Sequence, residues 1–347
     1  MTEKTMRVMW SEKPNELELR DVPIHDVGDE DVLVKVAYTG ICPWDVRAFT
    51  GLSGSVKFPR ILGHEVSGYV ADMGKNVKNL EIGQPVAPDM IVKCGTCKAC
   101  RTGRANRCSH PTFQQFGGGY GDYVRVPQKN IHTLQPGANL KAVAFMEPLA
   151  CVTRGQNMFN LYPGETELVI GAGPIGLMHM QVARAFGAKV IVSDPIDERL
   201  EKAKQLGAEC VVNPEKEDLN DVVQETTQGW GVDAAVVTVG SARLVEATIP
   251  LLAPGGRVNI FAGIYPKDKG AMTLDGNVIH YGEFVITGSA DSTPEDMHHA
   301  LEFIQNGHVN TKALISHLFP LEELGKGMDI VSRREGLKVM IEVNGEA

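Results

Sequence analysis

Short β-prone runs alternate with turn signals over the first 150 residues. Residues 7–10, 16–22 and 31–39 read as strands split by Pro14, Pro23 and Gly28. Residues 66–72, 84–87 and 122–127 continue the pattern. Punctuation by Gly and Pro at this density predicts a small barrel-like all-β domain. Near Pro163 the period changes. Residues 168–170 are apolar and run into glycines, and 175–186 repeat at helical spacing. Strand-like runs at 189–193, 210–212, 234–239 and 257–262 then alternate with helical stretches at 198–206 and 242–252, and 284–287 closes the series. Strands alternating with helices predict a parallel sheet covered on both faces. A helix over 294–306 and a strand over 337–343 have no place in that series and are expected to return to the first domain.

The chain has 347 residues, enough for two domains, and a formal net charge of −9. That balance argues against nucleic acid or an anionic membrane as the main partner, because both reward a basic face. The 37 glycines fall at isolated turns, which excludes collagen-like and low-complexity readings. Met1 to Trp10 carries Glu3, Lys4 and Arg7 without an apolar core, so it does not read as a signal peptide. No stretch approaches the roughly 20 apolar residues of a membrane span. The best run, 142–152, is interrupted by Glu147 and Pro148. A soluble, cytoplasmic protein is expected.

Gly171-Ala-Gly173-Pro174-Ile175-Gly176 follows a strand and opens a helix. In that context Gly171 permits the tight turn, Gly173 lets the backbone approach a pyrophosphate, and Gly176 allows close helix–strand packing. The helix N-terminus offers N–H donors and positive dipole to the phosphates. Asp194 ends the second strand, where a carboxylate can bond the adenosine ribose and repel a 2′-phosphate, favouring NAD over NADP. Arg199 could lie against the adenine or accommodate a phosphate. Val239–Gly240 and Ala262–Ile264 follow later strands, where the nicotinamide is expected. The fold class is therefore α/β, with a β-rich domain at 1–150, a Rossmann doubly wound NAD-binding domain at 151–288 and a C-terminal segment, 289–347, rejoining the first.

Seven cysteines and no secretory signal do not make a disulfide framework. Cys94, Cys97, Cys100 and Cys108 form a compact set of soft ligands suited to a closed, structural zinc site. Free thiols, a disulfide pair or an iron–sulfur cluster are the alternatives. Lys93, Lys98, Arg101, Arg104 and Arg107 are interleaved and would offset the thiolate charge. Gly40-Ile-Cys42-Pro-Trp44-Asp45, Gly63-His64-Glu65 and Glu147-Pro148 could converge as an open metal site, with Asp45 orienting the His64 ring. From spacing alone a core cysteine and a structural histidine are the more usual readings, and Glu147 could be only a helix cap.

Taken with GGYGDYV at 118–124, EPLA at 147–150 and GAGPIG at 171–176, these elements resemble the zinc-dependent medium-chain dehydrogenase/reductase family, in its polyol (sorbitol-like) and threonine dehydrogenase branch. The resemblance spans essentially the whole chain. It implies a GroES-like catalytic domain holding two zincs, one catalytic on Cys42, His64 and Glu147 with Glu65 close enough to bind or exchange, and one structural. It implies hydride transfer between a secondary alcohol (polyol, sugar or sugar-alcohol phosphate) and NAD, in a homodimer or homotetramer. An L-threonine 3-dehydrogenase and a catalytically silent NAD-binding protein are the rival readings. Two positions depart from the family pattern. Trp44 stands where a proton-relaying Ser or Thr is usual and is expected to shape the substrate pocket. Arg154 stands where related enzymes often have a histidine, and Arg47 and Arg154 could answer a phosphate or a carboxylate. Residues 284–287 form an edge strand that could pair with its mate in a dimer. His280 and Tyr281 could face the cofactor or a subunit contact, whereas His298, His299 and the charge run 215–221 read as solvated faces.

Overall fold

The strand Asp31–Gly40 is built from Val, Leu, Ala and Tyr and is buried along nearly its whole length, as a central strand requires. In the computed structural model it is the hub of a seven-stranded sheet. The order is Ile131–Thr133, Pro85–Pro88, Glu65–Met73, Asp31–Gly40, Lys338–Glu342 and Ile315–Pro320, with Tyr123–Pro127 also paired to Asp31–Gly40. A three-stranded sheet of Glu18–Pro23, Thr5–Ser11 and Arg60–Ile61 accompanies it. The structure describes residues 5–53, 56–113 and 118–346, so Glu3 and Lys4 of the leader reading lie outside the described residues.

Two units divide the chain. One comprises Met1–Pro148, Ser292–Gln305 and Thr311–Ala347. Its core gathers Val34, Val36, Ile41, Val66, Val70, Tyr120 and Val124 with Met328, Val339 and Ile341 from the C-terminal segment. The other comprises Leu149–Asp291 and Asn306–Asn310. It holds a parallel six-stranded sheet in the order Cys210–Val212, Lys189–Ser193, Thr166–Ile170, Val232–Val237, Leu252–Ile260 and Val285–Gly288. In chain order that is 3-2-1-4-5-6, the doubly wound arrangement. Thus the chain is α/β, with a GroES-like β-rich part and a Rossmann sheet.

Several elements differ from the sequence reading. The strand expected at 257–262 begins at Leu252 and runs through Pro254, which is accommodated where the pairing register shifts between Val232 and Ala234. That early start shortens the preceding helix to Ala242–Thr248 plus one tight turn, Ile249–Leu251. The helices Leu219–Thr226 and Leu324–Ser332 and the strand Ile315–Pro320 were not read from the pattern. His298 and His299 are exposed on the helix Pro294–Gln305, and residues 215–218, 220 and 221 are exposed with only Leu219 half-buried. Among the described residues no helix is long and apolar enough to cross a membrane.

Candidate metal centre and dinucleotide loop

Strand pairing assembles the first cluster. Gly40 lies opposite Glu65 on one side and opposite Met340 on the other. Cys42 follows as the N-cap of the short helix Pro43–Phe49, with Pro43 at its first position, where no N–H is needed. The Trp44 amide donates to Cys42 Sγ (3.4 Å), and Asp45 Oδ2 accepts from the Cys42 amide (3.1 Å). Gly63, at φ +94°, turns the chain into the strand Glu65–Met73 and sets His64 beside Cys42. Donor atoms of Cys42, His64 and Glu65 all lie within 4.8 Å of one another. Glu147 enters from the first turn of the helix Met146–Asn157, its Oε2 4.0 Å from His64 Nε2.

His64 and Glu65 are held from behind. Asp45 is fully buried, and its Oδ1 lies 3.2 Å from His64 Nδ1. That contact leaves Nε2 free to bind a metal. Burial opposes charge on His64, but the Asp45 carboxylate outweighs it and raises the imidazole well above its ordinary value. Burial likewise works against Asp45, yet His64 and its other donors hold its carboxyl below the usual range. Burial pushes the Glu147 carboxyl up to about 7, against the pull of His64. Lys338 pairs with the buried Glu65 carboxylate. A Cβ at Gly40 would overlap that carboxylate, so the glycine makes room for it. Trp44 packs edge-on against His64, ring centres 5.6 Å apart. The mixed sulfur, imidazole and carboxylate set suits zinc.

Cys94, Cys97, Cys100 and Cys108 form the second cluster, with every sulfur within 4.8 Å of the others. Cys94 and Cys100 are 3.9 Å apart, and Cys97 and Cys108 are 4.0 Å apart, all as free thiols. Four sulfurs at the usual zinc–sulfur distance stand about 3.8 Å from one another, so the lobe fits tetrahedral zinc. Amide donation, first from Cys97 and then from Thr96, brings the Cys94 thiol down to about 5. Of the five interleaved cations, Lys93 does not face the thiolates as expected. It is buried and paired with Asp89 at 2.5 Å, because a lysine taken out of water must keep a partner. Lys98, Arg101, Arg104 and Arg107 are exposed.

In the other unit, Gly171 (φ +100°) ends the strand Thr166–Ile170, and Gly173 caps the helix Pro174–Ala185. A Cβ at Gly176 would overlap the Gly171 carbonyl, whereas nothing lies within 4 Å of one at Gly173. The first glycine is therefore a packing requirement, and the second borders open space, as a pyrophosphate cradle demands. Asp194 is buried, with Oδ2 accepting from the Ala172 amide (2.7 Å) and Oδ1 from the Ile196 amide (2.9 Å). Arg199 lies 3.8 Å from Asp194 Oδ2. Val239–Gly240 and Ala262–Ile264 meet, a Cβ at Gly240 falling 2.6 Å from the Gly263 carbonyl.

Residues 28–136 match the alcohol dehydrogenase GroES-like domain, and 174–306 match the zinc-binding dehydrogenase family. D-arabitol-phosphate dehydrogenase of Enterococcus avium is 34% identical over 99% of both chains. The chain belongs to the zinc-dependent medium-chain dehydrogenases. An L-threonine 3-dehydrogenase of Caldanaerobacter subterraneus is 30% identical, covering 92% of this chain and 93% of its own. A zinc-binding dehydrogenase of Sinorhizobium meliloti 1021, solved with NADP, superposes with a TM-score of 0.90 at 29% identity over 98% and 100% of the two chains. This dehydrogenase is thus a zinc- and nicotinamide-dependent oxidoreductase of the polyol and threonine dehydrogenase branch. Sequence reasoning missed two residues that touch these side chains. Tyr120, whose hydroxyl donates to Asp45 Oδ2 (2.9 Å), lies inside the GGYGDYV motif, which serves above only as a mark of resemblance. Lys338 carries no signal, since a lone lysine in a strand ordinarily faces water.

Proposed function

We propose that this dehydrogenase transfers hydride between NAD and a secondary alcohol of a polyol, sugar or sugar-alcohol phosphate. The observation that carries the reading is the set of Cys42, His64 and Glu65 donors within 4.8 Å of one another, with Glu147 beside them. In this reading Cys42, His64 and Glu147 hold the catalytic zinc, with Glu65 near enough to exchange, and the four-cysteine lobe holds the structural one. The bound zinc supplies a Lewis acid for the substrate oxygen, and the nicotinamide supplies the hydride acceptor. Asp45 fixes the His64 ring. Trp44 walls the site next to His64 and offers no hydroxyl, so a released proton leaves through water, the cofactor ribose or another side chain.

The glycine turn from Gly171 through Gly173, Pro174 and Ile175 to Gly176 receives the pyrophosphate. Each Asp194 oxygen spends one lone pair on a backbone amide and keeps another for a ribose hydroxyl, and its charge favours NAD over NADP. Arg199 borders that ribose, and Val239, Gly240, Ala262 and Ile264 line the nicotinamide. The protein works as a homo-oligomer paired along the edge strand Val285–Gly288, whose Val285 is 47% exposed.

The test is NADH formation across polyols, polyol phosphates and L-threonine, with zinc-loaded wild type and His64→Ala. Turnover of one polyol class, abolished in the variant, is the expected result. Turnover of L-threonine alone would replace the substrate assignment. Tight NADH binding with no turnover on any of them would favour a silent binder.

A further inference from the structure

Four donors converge on the buried Asp45 carboxylate. Oδ1 accepts from the Gly63 amide at 3.2 Å and faces His64 Nδ1 at 3.2 Å. Oδ2 accepts from the Cys42 amide at 3.1 Å and from the Tyr120 hydroxyl at 2.9 Å. Three of these donors belong to the two turns that carry Cys42 and His64. The fourth comes from a separate segment and is the shortest of the set. Together they fill the roughly four lone-pair positions a carboxylate offers.

Tyr120 is fixed as rigidly as its partner. It is fully buried, its amide donates to the Leu62 carbonyl (3.0 Å), and its own carbonyl accepts from the Met9 amide (2.8 Å). Its ring lies against Gly63, where a Cβ would fall 3.0 Å from a ring carbon. The Gly40 carbonyl is a second acceptor at 3.3 Å. A phenol has one proton to give, and the closer, charged acceptor takes it.

We propose that Tyr120 is a positioning residue for the metal centre, its hydroxyl locking the Asp45 carboxylate in the rotation that aims His64 Nε2 at Cys42, Glu65 and Glu147. The carboxyl torsion of Asp has broad wells, so the covalent chain alone does not fix it. Without the phenol, Oδ2 loses its shortest hydrogen bond and keeps the Cys42 amide, and rotation of the carboxylate carries the His64 contact with it. The inference rests on the proposed zinc site and adds to it a residue that touches neither metal nor substrate.

Tyr120→Phe keeps the ring and removes the oxygen. Zinc release to a chromogenic chelator, followed on the intact protein, is expected in two steps. The Cys42–His64 site should release zinc about 10-fold more readily than in wild type, the lower end of the loss usual when a metal ligand loses its outer partner, because Tyr120 acts one bond further out. The four-cysteine lobe should be unchanged and so serves as an internal control for folding. In an Asp45→Asn background the same Tyr120→Phe change should add little, because the phenol acts through Asp45. Unchanged release at both sites, equal loss at both, or a full additional effect in the Asp45→Asn background would each overturn the assignment. If wild type holds zinc only at the lobe, or if His64→Ala still holds two zincs, the site reading itself fails, and Tyr120 with it. A similar loss in a Tyr120→Leu variant, with the lobe intact, would support the same conclusion should the phenylalanine variant not be recovered.

Discussion

In the unit with the parallel sheet, Glu167 and His179 are buried and share Gln156. The Gln156 amide donates to Glu167 Oε1 (2.7 Å) and lies 3.0 Å from His179 Nδ1. Burial raises the Glu167 carboxyl to about 8 and lowers the His179 imidazole to about 3, so both are neutral near pH 7. From an ordinary value of 4.5 up to about 8, folded Glu167 keeps a proton that the unfolded chain has lost. Its contribution is fully present below that window and fades as pH rises, by at most about 1.4 kcal/mol per pH unit. His179 acts oppositely. Between about 3 and 6.5 the unfolded chain binds a proton that the native ring refuses, so stability rises with pH there. The two slopes oppose each other where the windows overlap. Glu167→Gln removes the falling limb, so its urea midpoint relative to wild type should climb from about pH 5 to about pH 8. A constant difference across that range would show that native Glu167 is already ionised.

At the scale of elements, the two glycines of the turn before the helix Pro174–Ala185 should fail differently. Gly176→Ala sets a Cβ into the Gly171 carbonyl, so the helix must lift from its strand. The melting temperature should fall and NADH affinity should drop at least about 10-fold, with overpacking costing on the order of 1–3 kcal/mol. Gly173→Ala meets nothing within 4 Å and should keep the wild-type melt while weakening NADH binding. Fluorescence titration and thermal melts separate the two, and identical behaviour would count against the assigned roles. The same region shows what the chain makes legible. Lys189–Ser193 and Cys210–Val212 were read residue for residue, because buried parallel strands are short apolar runs between punctuated helices. Leu219–Thr226 was not, since Val223 alone is fully buried in it and the residues before it, 215–218, are all charged. At the proposed metal centre, spacing did not choose among the candidate donors, and the resemblance alone named them. Cys42, His64 and Glu147 come together only through the pairing of Asp31–Gly40 with Glu65–Met73 and the entry of a distant helix, and neither contact has a local pattern. Lys338 adds a third segment, and nothing local announces it.

For the whole molecule, the edge strand Val285–Gly288 and the exposed Tyr281 beside it give an association test. Val285→Lys puts a charge on an edge that otherwise invites pairing, and light scattering should show the proposed oligomer dissociating at unchanged fold. A mass equal to that of wild type would overturn the proposed pairing along this strand. The strand Lys338–Glu342 gives a second test. It lies inside the seven-stranded sheet, between Asp31–Gly40 and Ile315–Pro320, so a chain stopped after Gly336 should accumulate as aggregate. Soluble protein with full zinc content would contradict this.

The placement of that strand also orders events on the ribosome. Glu342 pairs with Tyr38, about three hundred residues earlier in the chain, so the metal-bearing unit waits until Lys338–Glu342 has been made to close its sheet. Every residue of the nucleotide-binding unit has been made by Asn310. A nascent chain therefore owns a dinucleotide cradle before it owns a finished metal centre. A message cut short between Asn310 and Lys338 would encode a chain carrying the cofactor cradle without the lysine that pairs with Glu65.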